Sequence, residues 1–147
     1  ETVQKRVSSS AGHGLMDSNP FASSRFKQAR QNLHQLLTAM RLGEWDRFIS
    51  VVEEEALSLH AMMMTSKPGY LLMQPGTLKI LHLIKEFRQD TGYKLCFTLD
   101  AGANVHLLYA DSDAGEVERF IHSELTNHCE EGKLIKDQMG QGPQKTE

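Results

Sequence analysis

Two alternating stretches, "YKLCFTL" (93–99) and "VHLLY" (105–109), stand only five residues apart, joined by Asp100-Ala101-Gly102-Ala103-Asn104. A period of two marks each as a strand, and so short a link admits only an antiparallel hairpin, since a parallel pair needs a crossover of roughly a dozen residues or more. Tyr93, Leu95, Phe97 and Leu99 share one face, Lys94, Cys96, Thr98 and Asp100 the other, and Val105, Leu107 and Tyr109 resume the alternation on the return strand. A charge thus falls at the end of the first strand, beside a glycine-containing turn. Two readings are open for it. Asp100 can be a turn residue whose carboxylate accepts backbone N–H groups. It can also be a functional carboxylate on a rigid strand end, with Ala101, Gly102 and Ala103 kept small so that a ligand can approach the backbone.

The rest of the chain supplies helices to cover the hairpin. Phe26, Ala29, Leu33, Leu36, Leu37 and Met40 recur at steps of three and four, which predicts a helix from about Ala22 to Leu42 with that stripe toward a core and Gly43 as its end. A second helix opens at Glu44 to Asp46. Its stripe is Trp45, Phe48, Ile49, Val52, Leu59 and Met63, its acidic run Glu53 to Glu55 is expected to face solvent, and the two helices are expected to pair antiparallel. The two Pro-Gly dipeptides of "TSKPGYLLMQPG" mark a loop. Thr77 is expected to cap a third helix carrying Leu78, Leu81, Ile84 and Phe87, and a last helix from Asp113 to about His128 buries Val117, Phe120, Ile121 and Leu125. Short strands are expected at Val3 to Val7 and at Lys133 to Lys136, and "GQGPQKTE" should be frayed. The expected fold is α+β, an antiparallel sheet with helices packed on one face, with residues 1–139 as one domain and 140–147 as a disordered tail.

Composition narrows the function. With 147 residues, 39% hydrophobic and 24% charged, the chain can build one core, and its net charge of -3 disfavours a nucleic-acid-binding surface. No apolar run reaches the roughly 18 residues of a membrane span, and no secretory signal is visible. Cys96 and Cys129 lack metal-ligand spacing and fit reduced thiols, so the expected location is the cytoplasm. His60, beside methionines in "LSLHAMMMTS", reads as a core or interface histidine, and the other histidines show no spacing that gathers a zinc ion. Ser8, Ser9 and Ser10, ahead of Ala11 and Gly12, are either a flexible turn or a helix start whose free N–H groups suit a phosphate. The chain starts at Glu1 without methionine, which suggests a piece of something longer.

Taken together and in order, "KRVSSSAGHGLM", "EEEALSLHAMMMTS" and "CFTLDAGANVHLLY" resemble the C-terminal half of the diphosphomevalonate decarboxylase family, within the superfamily of galactokinase, homoserine kinase, mevalonate kinase and phosphomevalonate kinase. The likeness runs from about Lys5 to Asp111. Its most specific part is Asp100-Ala101-Gly102, where Ala103 replaces the usual proline. The resemblance implies a ferredoxin-like C-terminal domain and an ATP-dependent decarboxylation of mevalonate diphosphate to isopentenyl diphosphate, a step of isoprenoid and sterol biosynthesis. It implies Asp100 as the catalytic aspartate. It further implies Ser9, with Ser8 beside it, as contacts to the substrate's diphosphate, and Ala101 as a backbone lining of the same pocket; Ser10 stands where some bacterial members have an arginine. ATP and Mg²⁺ would be held mainly by an N-terminal ATP-binding domain not present here, the full-length enzyme would be a homodimer, and this piece alone would be inactive. The alternatives are a sibling small-molecule kinase, a decarboxylase of the monophosphate, and a non-catalytic ferredoxin-like ligand-binding module.

Overall fold

The computed structural model describes Gly14 and residues 18–140; the expected strand at Val3 to Val7 and the tail beyond residue 140 lie outside them. Helix α1 spans Ala22–Leu42 and α2 Trp45–Met64. Gly43 ends α1 in the left-handed region, at φ 67°, with its N–H donating to the Ala39 carbonyl. Helix α3 runs Pro75–Thr91, strands β1 and β2 are Leu95–Leu99 and Val105–Tyr109, and helix α4 is Ala114–Phe120. The architecture is α+β, as the sequence patterns require, with the helices packed against a two-stranded antiparallel sheet among the described residues. Leu95 pairs with Tyr109 and Leu99 with Val105, so the hairpin closes immediately before Asp100.

β1 is the most buried element of the core. Leu95, Cys96 and Phe97 have no solvent exposure, so both of its faces are covered. Ile80, Leu81 and Ile84 of α3 and Val117 and Phe120 of α4 join Leu95, Phe97 and Leu99 in one cluster. Phe87 stacks on Phe120 at 4.1 Å between ring centroids, fixing α3 against α4. Complete burial of a side chain such as Phe97 contributes about 1.5–3 kcal/mol.

Four expectations need correction. First, the stripe of α1 does not face the core: Phe26, Leu33, Leu37 and Met40 are 45–59% exposed. Its buried residues are instead Ala22, Asn32 and Ala39, and it reaches α2 through polar bonds. Arg25 pairs with Glu55, and Asn32 Nδ2 donates to Glu55 Oε2 at 2.9 Å. Polar complementarity marks the side of α1 that meets α2: Arg25 and Asn32 both reach Glu55, while Lys27, Arg30 and Arg41 stay exposed. Second, that run is only partly solvated: Glu54 is exposed, but its neighbours are engaged. Glu53 is buried and accepts a two-pronged contact from Arg88 of α3, at 2.6 and 3.1 Å.

Third, Thr77 is not the N-cap residue of α3, although its hydroxyl takes part in the capping box. The helix starts three residues earlier, with Gln74 as the capping residue and Thr77 in its first turn, where Oγ1 accepts the Gln74 N–H at 3.2 Å. Pro75 at the helix start, where no N–H is needed, accounts for the earlier boundary. Fourth, the C-terminal segment is less regular than its periodicity predicts. α4 ends at Phe120 and continues as a π-helical turn, Ile121–Leu125, and a 3₁₀ turn, Thr126–His128. Residues 133–136 form no strand and are exposed; Lys133 and Lys136 are engaged by Glu131 and Glu118 rather than by a ladder.

Candidate active site

The hairpin ladder ends at Leu99, and the five-residue turn that follows carries the Asp100 side chain out of the core. Asp100 is exposed and Ala101, Gly102 and Ala103 are half-buried. Among the described residues nothing hydrogen-bonds to the Asp100 carboxylate, so the backbone N–H bonds of a turn-capping aspartate are not made there. Gly102 lies directly beneath the Asp100 carboxylate. A Cβ on it would stand 2.9 Å from Asp100 Oδ1, closer than real Cβ contacts come. Ser8, Ser9 and Ser10 lie outside the described residues.

The turn is held from beneath by two helices. His60 of α2 is 2% exposed, and its Nε2 lies 3.0 Å from the Asp100 carbonyl oxygen. A carbonyl can only accept, so Nε2 carries the hydrogen. Burial holds the His60 pKa below its ordinary value, against the opposing pull of the Asp100 carbonyl, and the ring stays a neutral donor. Thr77 of α3, also buried, donates from Oγ1 to the Ala103 carbonyl at 2.7 Å. Sequence reasoning placed His60 correctly among buried histidines but gave no sign of this bond. A polar residue on an otherwise apolar stripe was the available signal.

Elsewhere, burial pushes the Cys96 thiol up to about 12, with the Glu53 charge adding to it, so Cys96 is no nucleophile at neutral pH. No helix among the described residues is long and apolar enough to cross a membrane. Nor does any group of three His, Cys, Asp or Glu side chains among them gather to hold a metal ion.

Comparisons with known proteins agree with this frame. The mevalonate 5-diphosphate decarboxylase C-terminal domain family matches residues 1–146. A phosphomevalonate decarboxylase from Haloferax volcanii is 28% identical over 105 residues, which cover 68% of this chain and 32% of that protein. The crystal structure of a mevalonate diphosphate decarboxylase from Legionella pneumophila is 30% identical and superposes with a TM-score of 0.78, over 85% of this chain and 40% of that one. A mevalonate diphosphate decarboxylase from Enterococcus faecalis, described with mevalonate diphosphate mediated ATP binding, shares the fold at a TM-score of 0.75 and 22% identity, over 82% of this chain and 38% of its own. The chain therefore spans about a third to two fifths of the relatives it matches. With a match that runs almost from end to end and a hairpin, turn and helix order to go with it, the chain belongs to the mevalonate 5-diphosphate decarboxylase C-terminal domain family.

Proposed function

We propose that this chain is the substrate-facing half of an ATP-dependent decarboxylase that converts mevalonate 5-diphosphate to isopentenyl diphosphate, ADP, phosphate and carbon dioxide. The observation that carries the reading is the exposed Asp100 carboxylate, standing unpaired among the described residues at the end of a largely buried strand, in a chain of this family. A turn residue would spend that carboxylate on its own backbone; a reacting one must keep it available.

In this reading Asp100 aligns or deprotonates the tertiary 3-hydroxyl. The hydroxyl oxygen bonds to the γ-phosphorus of ATP as the bond to ADP breaks. The new phosphate ester is a good leaving group: the electrons of the C–CO₂ bond form the carbon–carbon double bond, the C–O bond breaks, and carbon dioxide and phosphate depart. Ser9, with Ser8 and Ser10 beside it, contacts the substrate's diphosphate, and Ala101 lines the pocket through its backbone. From the family resemblance, ATP and Mg²⁺ are assigned mainly to an N-terminal ATP-binding domain. Mg²⁺ supplies charge neutralisation for phosphoryl transfer when bound. We place the protein in the cytoplasm, as a homodimer of two-domain subunits acting in isoprenoid biosynthesis, with neither nucleic acid nor membrane as partner.

The test is product stoichiometry. The full-length parent protein, given ATP, Mg²⁺ and mevalonate 5-diphosphate, should release ADP, phosphate and carbon dioxide in equal amounts, and this chain alone should release none. Turnover of mevalonate 5-phosphate instead would move the protein to the substrate of the H. volcanii relative. ADP formation without carbon dioxide would make it a kinase and overturn the reading.

A further inference from the structure

We propose that His60 and Thr77 are positioning residues: two buried donors, from two different helices, that fix the two ends of the turn presenting Asp100. The proposal rests on Asp100 acting on the substrate as described above. Its physical basis is that the turn does not close itself. Among the described residues, none of 100–104 makes a backbone–backbone hydrogen bond beyond the strand ladder. A five-residue link without internal bonds has many conformations of similar energy, and a carboxylate at its first position would sample them all.

The helices remove that freedom. His60 Nε2 holds the Asp100 carbonyl at 3.0 Å, at the entry of the turn, and Thr77 Oγ1 holds the Ala103 carbonyl at 2.7 Å, one residue before its exit. Fixing the Asp100 carbonyl fixes the peptide plane next to the Cα from which the carboxylate projects. Fixing the Ala103 carbonyl fixes the far end, and the space left by Gly102 lets Asp100 Oδ1 lie over the turn between the two. Each brace is itself held. His60 is almost without exposure, and the Thr77 hydroxyl, having accepted the Gln74 N–H, has its one hydrogen to give and gives it to Ala103. The two donors come from α2 and α3, which the core packs against β1, so the site inherits the rigidity of the core rather than of the loop.

The experiment uses the full-length parent protein and four variants. His60→Phe keeps the ring and loses the donor, while His60→Gln returns an N–H near the Nε2 position; Thr77→Val keeps volume and loses the hydroxyl, while Thr77→Ser returns it. Because a displacement of about 1 Å at a reacting group can cost about 10²-fold, kcat should fall roughly 10- to 100-fold in His60→Phe and Thr77→Val, with KM for ATP unchanged. Gln and Ser should recover most of it. A purely structural role would lower the melting temperature of the Phe and Val variants while leaving kcat of the folded protein intact, and that result overturns the proposal. If His60→Phe does not fold, Thr77→Val decides. A parent protein that releases no carbon dioxide rejects the decarboxylase reading instead, and the brace is then judged from the imidazole ¹⁵N spectrum: hydrogen on Nε2 is expected, and hydrogen on Nδ1 overturns it.

Discussion

The Asp100 turn and the outer face of α1 are both open to solvent, and they are built in opposite ways. Behind the turn stand a buried strand and two buried donors, so a single exposed carboxylate rests on some of the most buried parts of the chain. Behind Phe26, Leu33, Leu37 and Met40 lies the far side of α1, whose buried residues are small or polar and which reaches α2 through Asn32 and the Arg25–Glu55 pair. At the turn, exposure is local and supported; on α1 it is a stripe several turns long whose register nothing among the described residues reads. The difference separates two meanings of an exposed side chain. One has its position determined by what lies underneath. The other has only its composition determined.

Substitutions on the two regions should differ accordingly. The largest effect is expected for Asp100→Asn in the full-length parent protein, where the amide keeps the size of the side chain but cannot take a proton or hold a charge. Turnover should fall by roughly 10²–10⁴ with the melting temperature nearly unchanged. Near-normal turnover with stability lower by about 1 kcal/mol, the scale of one lost local hydrogen bond, would return Asp100 to the status of a turn residue and erase the contrast.

Gly102→Ala should have an intermediate effect. The added methyl would stand 2.9 Å from Asp100 Oδ1, so the carboxylate must shift by a few tenths of an ångström. Turnover should drop roughly 3- to 30-fold, scaled down from the loss expected for a full ångström of misplacement. Unchanged turnover would mean that the carboxylate has latitude, and the turn would then be no better determined than α1.

On α1 the expected effect is smallest. Leu37→Gln should change unfolding free energy by no more than about 0.5 kcal/mol, measured by denaturant titration of the full-length parent protein, because an exposed apolar side chain loses little on becoming polar. A loss of about 2 kcal/mol or more would show that the stripe is covered in the whole protein, and would place α1 in an interface rather than on a free surface.

The same two regions show what sequence can carry. Periodicity delivered the bounds of α1, the hairpin and the place of Asp100 at a strand end, because each is a local pattern read along one element. It did not deliver the direction of the α1 stripe. That was decided by Arg25 and Asn32 meeting Glu55, a match between two helices that no single-element pattern contains. Glu53 escaped for the same reason: its counter-ion, Arg88, is 35 residues away on α3. The His60 and Thr77 bonds were equally hidden, since both depend on a turn whose carbonyls face the helices only after the core has assembled. Nothing in the pattern of 133–136 distinguished a strand from an extended tail, because a strand is made by its neighbour.

The Glu53–Arg88 fork bears on how such a chain can change over generations. Arg88 also donates to the Leu95 carbonyl at 2.9 Å, so one guanidinium ties α2, α3 and the first residue of β1 together. Removing Arg88 leaves the buried Glu53 without its partner, the costlier direction; breaking a fully buried pair costs about 3–5 kcal/mol, and this pair, whose Arg88 keeps some solvent, less. A lineage that loses Arg88 must therefore lose Glu53 with it or acquire compensation elsewhere first. The two positions should drift as a pair, with a buried apolar couple as the accessible exit, while the exposed leucines of α1 are free to vary one at a time.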